Sequence, residues 1–402
     1  MPRFEPFNAI RYASDVSFDE VIAPPYDVLS DDDVRELYRR SDYNITHIDV
    51  PTGGGDRYKV AAFLLTEWLE KGVLVREPQP SFTIYRMDLI DSMGQERTIS
   101  GVLGGLEVVD EGAGGVLPHE RTTKKASTDR LDLTIATAAN MSPVWGLSLA
   151  TGLTKALAAP GEPLGQLVVD GVTHRVERVT DPERVAQISQ IIGRDDVLIA
   201  DGHHRYGISR TYRDKVRAAT KRKGTAAEFT LTFVNELVDD QLSIEAIHRI
   251  YSGISLDRLK ADLSGSFTFQ QLPGSVNPET LSIMERDGRL VLLHPNGSAE
   301  WLTPRPGAFD GVRALDGAWL EHALAGSRAE VGYQHGLDEV AAALKGSGPF
   351  GKPTAAVLIR PTSLTEIERT AREGLLMPPK STFFTPKLRT GLVIRPTARL
   401  PR

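Results

Sequence analysis

Five consecutive residues, Asp201-Gly202-His203-His204-Arg205, combine side chains that suit the recognition of phosphate. They follow the apolar run Val197 to Ala200 and precede residues with helical spacing. A strand that turns directly into a helix brings backbone N–H groups and the positive helix end to the mouth of the strand, where anions bind well. Histidines add donors, and arginine offers a planar fork that matches phosphate oxygens. We therefore predict phosphate binding at Gly202, His203 and Arg205, with Asp201 and His204 as catalytic groups.

Asp201 has more than one candidate role in this turn. Its carboxylate could hold one histidine in a chosen tautomer, or it could share a magnesium ion with a phosphate group. The purely structural alternative is that Asp201 caps the helix, while the histidines and Arg205 are ordinary surface groups.

A second polar cluster, Pro118 to Lys124, lies in a stretch that is rich in Gly, Lys and Thr and has no apolar period. We predict a long loop there, and such loops are often functional. Glu120 is a candidate base, and His119, Thr122 and Lys124 are candidate phosphate contacts. The alternative is a solvated polar loop. A zinc site is not indicated, because His119-Glu120 lacks the second helical histidine of a metalloprotease motif.

Prolines stiffen two further segments that carry charged side chains. Asp27 follows Pro24-Pro25-Tyr26 and is a second candidate base, although the same rigidity also suits a plain strand entry. Near the C-terminus, prolines and an aromatic pair predict an extended arm that is anchored by apolar burial. We expect this arm to bring Lys380 or Lys387 to the phosphate site.

The elements that must position these groups alternate between helical and extended patterns. Residues 56–71 and 182–193 have helical spacing, and residues 82–90 and 96–110 read as an antiparallel strand pair. The pattern predicts a mixed α/β (α+β) fold. We expect an N-terminal α/β region over 1–225, a second mixed α/β region over 226–376 and the arm over 377–402.

The composition of the 402 residues is that of an ordinary globular protein, with 41% hydrophobic and 25% charged residues. There is no cysteine, which excludes disulfides, zinc–thiolate sites and a thiol nucleophile. A net charge of −6 argues against nucleic acid as a partner. We interpret the basic run 215–223 as the solvated end of a helix. No signal-like segment or long apolar run is visible, so we expect a cytoplasmic protein without a membrane span.

Several motifs together resemble a known family. In chain order they are APPYDV, PHERTTKK followed by Asp129-Arg130, NMSPV, IADGHHRY and MPPKSTFFTPK. They resemble domain-of-unknown-function family 1015 over nearly the entire chain. IADGHHRY is also similar to a signature of the ParB/sulfiredoxin-like superfamily, whose members bind or cleave nucleotides and include free serine kinases. This second resemblance implies a nucleotide-binding core of that type with an additional mixed-sheet region, and phosphates near Gly202 to Arg205.

This sequence differs from two branches of that superfamily. Sulfiredoxin activity requires a cysteine, and residues 226–250 read as strands rather than as the helix-turn-helix of ParB proteins. The kinase-like branch fits best, without a Walker-type motif. We therefore predict a nucleotide-dependent kinase of a small hydroxylated metabolite, such as serine, that uses ATP or ADP and magnesium. The alternatives are a ParB-like regulatory or DNA-associated module without turnover, and a small-molecule phosphatase with His203 or His204 as nucleophile.

Overall fold

The computed structural model describes residues 1–91, 94–118, 127–346, 352–378 and 380–398, with the backbone alone at 127 and 128. The chain divides into two compact units. The first comprises Met1–Leu242, Glu368–Leu376 and Pro386–Arg402, and the second comprises Ser243–Ile367 and Met377–Thr385. The division into regions over 1–225, 226–376 and 377–402 stays a prediction.

Strands and helices alternate along both units. The strands are β1 (Phe4–Glu5), β2 (Ile10–Tyr12), β3 (Leu74–Arg76), β4 (Phe82–Ile90), β5 (Glu96–Glu107), β6 (Val116–Pro118), β7 (Ala139–Asn140), β8 (Val144–Ser148), β9 (Glu162–Val169), β10 (Val172–Val179), β11 (Val197–Asp201), β12 (Phe229–Glu236), β13 (Ser243–Glu245), β14 (His248–Ser252), β15 (Phe267–Leu272), β16 (Leu290–Leu293), β17 (Ala299–Pro304), β18 (Glu330–Gln334), β19 (Pro353–Leu358), β20 (Phe383–Thr385) and β21 (Arg395–Pro396).

The helices are α1 (Phe18–Val21), α2 (Asp31–Arg40), α3 (Thr46–Asp49), α4 (Arg57–Glu70), α5 (Ser127–Thr137), α6 (Leu153–Leu157), α7 (Pro182–Ile192), α8 (His203–Thr220), α9 (Leu256–Leu263), α10 (Pro278–Asp287), α11 (Asp316–Ala323), α12 (Leu337–Leu344) and α13 (Leu364–Arg372). Among the described residues, no helix combines the length and the apolar composition that crossing a membrane requires.

A nine-stranded mixed sheet forms the centre of the first unit. Its order is β6-β11-β8-β12-β5-β4-β10-β9, and β1 pairs with β5 outside this path. β11 runs parallel to β6, β12 runs parallel to β8, and the other pairs are antiparallel. The predicted hairpin of β4 and β5 is present, and the mixed α/β fold class is confirmed.

Glycines in β5 let aromatic rings pack directly on the strand. A Cβ at Gly101 would lie 2.3 Å from the ring of Phe233, and a Cβ at Gly104 would lie 2.4 Å from the ring of Phe4. Phe4 in turn stacks on Phe82 with ring centroids 5.1 Å apart. The run GVLGGLE therefore serves the core of the first unit rather than a turn.

The second unit has its own sheet and core. Its six strands are ordered β15-β17-β16-β19-β14-β18 and pair antiparallel throughout. Buried apolar residues cover both faces of this sheet, with Leu292 and Leu302 in one cluster and Val291 and Leu358 in the other. A separate short pair joins β13 to β20.

Candidate functional site

The turn between β11 and α8 depends on a glycine. Gly202 has φ +86°, a left-handed conformation that L side chains rarely adopt. A Cβ at this position would lie 3.1 Å from Nε of Arg205 and 3.3 Å from Cα of Val144. His203 and His204 follow in the first turn of α8, as the sequence predicts. The backbone thus passes directly beneath the Arg205 side chain at the helix N-terminus.

Arg205 joins two carboxylates from distant parts of the chain. Its Nη2 lies 2.7 Å from Oδ2 of Asp201 and 3.5 Å from Oδ2 of Asp27, and its Nη1 donates to the carbonyl of Pro143. The side chain is only 9% exposed. Arg205 therefore holds Asp27 beside Asp201, and the phosphate contact predicted for it would have to be shared with these carboxylates.

Lys387 supplies a second positive charge to Asp201. Its Nζ lies 3.3 Å from Oδ1 of Asp201. Burial alone would raise the pKa of Asp201, but the charges of Arg205 and Lys387 outweigh burial and hold that pKa well below its usual range. Asp201 is therefore ionised at neutral pH. Lys380, the other predicted lysine, belongs to the second unit.

The returning C-terminal segment is paired with the N-terminal part of the first unit. Thr390 and Ala23 exchange backbone hydrogen bonds of 2.8 and 3.2 Å, and Ile394 and Ile10 do so at 2.8 and 3.0 Å. The Thr390 hydroxyl also lies 2.7 Å from that of Ser142. These contacts fix the chain on both sides of the site, so the same segment positions Lys387 and the turn that carries Asp27.

A small polar cavity of about 50 Å³ adjoins Arg205. Asp49 lines it and is fully enclosed, with Ser142 Oγ 3.3 Å from its Oδ2 and Arg130 Nη1 3.5 Å from its Oδ1. Burial raises the pKa of Asp49, and the charges of Arg130 and Arg205 offset this only in part. Tyr26 lies against Arg130, whose guanidinium carbon is 4.3 Å from the ring centre. The cavity has room for more than one water molecule.

The predicted loop cluster begins next to this site. β6 ends at Pro118, and its register with parallel β11 pairs Pro118 with Ile199, two residues before Asp201. The four candidate residues in that loop, His119, Glu120, Thr122 and Lys124, lie outside the described residues. Their roles stay predictions.

Three residues of the site, Asp49, Arg130 and Thr390, are not signalled by local sequence chemistry. Asp49 and Arg130 are separated by 81 residues, and Ser142 and Thr390 by 248. The family motifs give a partial signal, because Arg130 follows PHERTTKK and Ser142 lies in NMSPV. Asp49 closes a short buried helix, and no local pattern distinguishes it from a capping residue.

The described residues contain no cluster of three or more His, Asp or Glu side chains that could hold a metal ion. Asp201, the predicted magnesium ligand, has each of its carboxylate oxygens engaged by a cation, Arg205 at one and Lys387 at the other. A metal at Asp201 would therefore share these oxygens with Arg205 and Lys387.

The family assignment agrees with the motifs. The model of the family described as protein of unknown function (DUF1015) matches residues 4–318, and the chain belongs to this family. No curated protein matches the sequence.

Solved structures with some likeness include three in which 13–14% of aligned residues are identical. A mutant free serine kinase in complex with ADP covers 69% of this chain and 89% of its own, with a TM-score of 0.35. A conserved hypothetical protein from Pyrococcus furiosus covers 71% and 92%, with a TM-score of 0.36. SbnI with a C-terminal truncation, from Staphylococcus aureus, covers 71% and 84%, also with a TM-score of 0.36.

Proposed function

We propose that this protein is a nucleotide-dependent kinase that transfers a phosphoryl group from ATP or ADP to the hydroxyl group of a small metabolite, such as serine. One observation carries the proposal: a strand–glycine–helix turn meets a carboxylate, Asp27, and a lysine, Lys387, from opposite ends of the chain. Phosphoryl transfer needs charge neutralisation and a positioned nucleophile more than covalent chemistry by the protein. The residues at this turn offer both charge neutralisation and a carboxylate that can position the nucleophile.

The nucleotide phosphates would lie at the N-terminal end of α8. The backbone N–H groups of the first helical turn have no acceptor within the helix, and the helix dipole favours negative charge there. Gly202, His203 and Arg205 belong to this turn, and Lys387 adds a point charge. His204 completes the turn as a candidate catalytic group.

Asp27 is the favoured base for the acceptor hydroxyl. The side chain of Asp27 is partly exposed, so a substrate can reach it. Nη2 of Arg205 lies 3.5 Å from Oδ2 of Asp27 and restrains that side chain. Asp201 is less suited, since its lowered pKa makes it a weak proton acceptor. Its role would be to orient Arg205 and Lys387. Glu120 remains the alternative base.

Magnesium would enter with the nucleotide. Such an ion is usually held by one or two protein carboxylates together with substrate phosphates and water. Asp201, which lies beside Arg205 at the end of β11, fits that requirement. When bound, the ion would neutralise phosphate charge at this turn.

The direct experiment is incubation of the full chain with ATP or ADP, magnesium and a pool of hydroxylated metabolites, followed by mass spectrometry for phosphorylated products. We expect a product with the added mass of one phosphoryl group. Binding of nucleotide without any product would favour a regulatory module, and release of inorganic phosphate from a phosphorylated metabolite would favour a phosphatase. Absence of both nucleotide binding and turnover would refute the proposed site.

Two substitutions separate binding from chemistry. Asp27→Asn should lower kcat by about 100-fold or more, because the base is lost, while nucleotide affinity changes little. Lys387→Met should weaken nucleotide binding by about tenfold, because one charge-assisted contact is lost. Asp32→Asn and Lys59→Met, at exposed positions of α2 and α4, are the matched controls and should leave both quantities unchanged.

A further inference from the structure

A larger groove adjoins the Tyr26–Val28 turn. Its volume is about 490 Å³, within the usual range for small-molecule sites. Its walls come from α1, the turn, α2, the end of β9 and the returning C-terminal segment. Val28 lines the groove and directly follows Asp27 in sequence.

Much of the groove wall is apolar. Val28 and Val168 are exposed large hydrophobic residues, and Val168 is 63% exposed. Exposed apolar side chains that share a concave surface indicate contact with an apolar ligand more strongly than scattered ones do. The other apolar lining residues that matter here are Ile22, Leu29, Leu37 and Leu167.

One cation in this groove is only partly used. Nη2 of Arg389 lies 3.1 Å from Oδ2 of Asp170, whereas its buried Nε has no hydrogen-bond acceptor among the described residues. The side chain is nine-tenths buried. A carboxylate normally pairs with arginine through two parallel N–H···O bonds, and an unsatisfied buried donor is costly. Arg389 therefore uses one of the two donors that a bidentate carboxylate contact would engage.

The present partner of Arg389 is a weak competitor for an incoming anion. Asp170 is 81% exposed in the tight turn between β9 and β10, and ion pairs in water contribute little. Two other groove carboxylates are already engaged, Asp33 by the cap of α2 and Glu36 by Arg40 at 2.9 Å. Asp19 also belongs to the wall.

The backbone that carries Arg389 is fixed from behind. Tyr85 has a hydrogen bond with the backbone of Arg389, and its hydroxyl lies 2.7 Å from Nδ1 of the buried His174. Thr390, the next residue, is fully buried and pairs with Ala23. These contacts hold the backbone of Arg389 in place, so its guanidinium is preorganised for ligand binding.

We propose that this groove binds a small carboxylic acid with an apolar body, with its carboxylate on Arg389 and its chain along Val28, Val168 and Leu167. The bound acid would displace Asp170 and use both Nε and Nη2 of Arg389. This site is distinct from the phosphate turn at Gly202, and the inference does not depend on phosphoryl transfer.

Titration of the full chain with hexanoate, without nucleotide, tests the proposal by calorimetry and saturation-transfer NMR. Hexanoate should bind saturably, and 1-hexanol and hexylamine should bind about tenfold more weakly or not at all. Inorganic phosphate should not displace hexanoate, because it lacks the apolar body. Equal or tighter binding of hexylamine would mean that the acidic rim dominates, and it would overturn the proposal, as would the absence of hexanoate binding.

Variants test the geometry. Asp170→Asn removes the competing carboxylate and should tighten hexanoate binding by about threefold, an outcome that a merely structural ion pair would not produce. Arg389→Gln should abolish binding. Val168→Glu should weaken it, whereas Ile90→Glu, at a 68% exposed apolar position outside the groove, should not. If Arg389→Gln fails to fold, the Asp170→Asn and Val168→Glu results decide, and unchanged affinity in both would refute the site.

Discussion

Two aspartates near Arg205 have opposite electrostatic environments. Asp201 accepts charge-assisted contacts from Arg205 and Lys387, which hold its pKa below the usual range despite burial. Asp49 is more completely enclosed, and burial raises its pKa even though Arg130 and Arg205 are near. The ionised carboxylate therefore stabilises the fold at Asp201 and destabilises it at Asp49.

Isosteric substitutions should reveal this difference. Asp201 has a lowered folded pKa, so its contribution to stability is present above its unfolded pKa and is lost as the pH falls. Asp201→Asn at pH 7 should therefore lower the free energy of unfolding by about 2 kcal/mol. Asp49 has a raised folded pKa, so its contribution is present at acidic pH and is lost as the pH rises. Asp49→Asn at pH 7 should cost less than about 0.5 kcal/mol, or stabilise.

Urea unfolding of both variants at pH 7 and at pH 3, which is below the unfolded pKa of aspartate, measures these effects. The cost of Asp201→Asn should shrink at the lower pH, while Asp49→Asn should compare less well with the wild type there than at pH 7. Equal costs for the two variants at pH 7 would contradict the assigned environments.

The β11–α8 junction shows how one element fixes the site. α8 and its N-cap contain two glycines in different settings: Gly202 has positive φ and close neighbours, whereas a Cβ at Gly207 would have no neighbouring atom within 4 Å. A side chain at Gly202 would push against Arg205, which two carboxylates and a carbonyl hold in place. A side chain at Gly207 meets open space.

Gly202→Ala and Gly207→Ala should consequently move stability in opposite directions. The first should cost about 1–3 kcal/mol for left-handed backbone and displace Arg205 from Asp27. The second should stabilise α8 by up to about 1 kcal/mol, since alanine is the better helix former. Thermal unfolding compares the two, and nucleotide affinity should fall only in Gly202→Ala. A destabilised Gly207→Ala would point to a neighbour of α8 that the structure does not place there.

Local sequence patterns predict only those parts of the site that adjacent residues encode. The apolar run before Asp201-Gly202 predicts a strand, and the spacing after it predicts a helix; β11 and α8 are present there. Ser30 before three aspartates predicts a helix cap in the same way, and it forms a capping box at α2. Asp49 with Arg130, and Ser142 with Thr390, come together only through tertiary packing, which no short window of sequence contains.

At the scale of the whole molecule, both units bury a histidine deeply. His174 in the first unit lies 2.7 Å from the Tyr85 hydroxyl, and burial together with Arg389 lowers its pKa to about 4. His248 in the second unit accepts a backbone hydrogen bond from Ile359, and burial together with Arg249 lowers its pKa to about 4. Both imidazoles are neutral in the folded chain at pH 7, and both would gain a proton on unfolding in mild acid.

The free energy of unfolding should therefore fall as the pH decreases from about 6.5 to 4, by about 3 kcal/mol for each histidine. The sign follows because a lowered histidine pKa means that the unfolded state binds more protons in this window, so stability is complete above 6.5 and is lost towards 4. His174→Asn and His248→Asn retain an acceptor near Nδ1 but cannot titrate. Each substitution should remove the pH dependence of the free energy of unfolding in its own unit. His322→Asn, at an exposed position in α11, should leave the pH dependence of both units unchanged. Chemical unfolding measured across this pH range, with separate probes for the two units, checks the expectation. A first-unit slope that persists in His174→Asn would contradict the assignment of that acid sensitivity to His174.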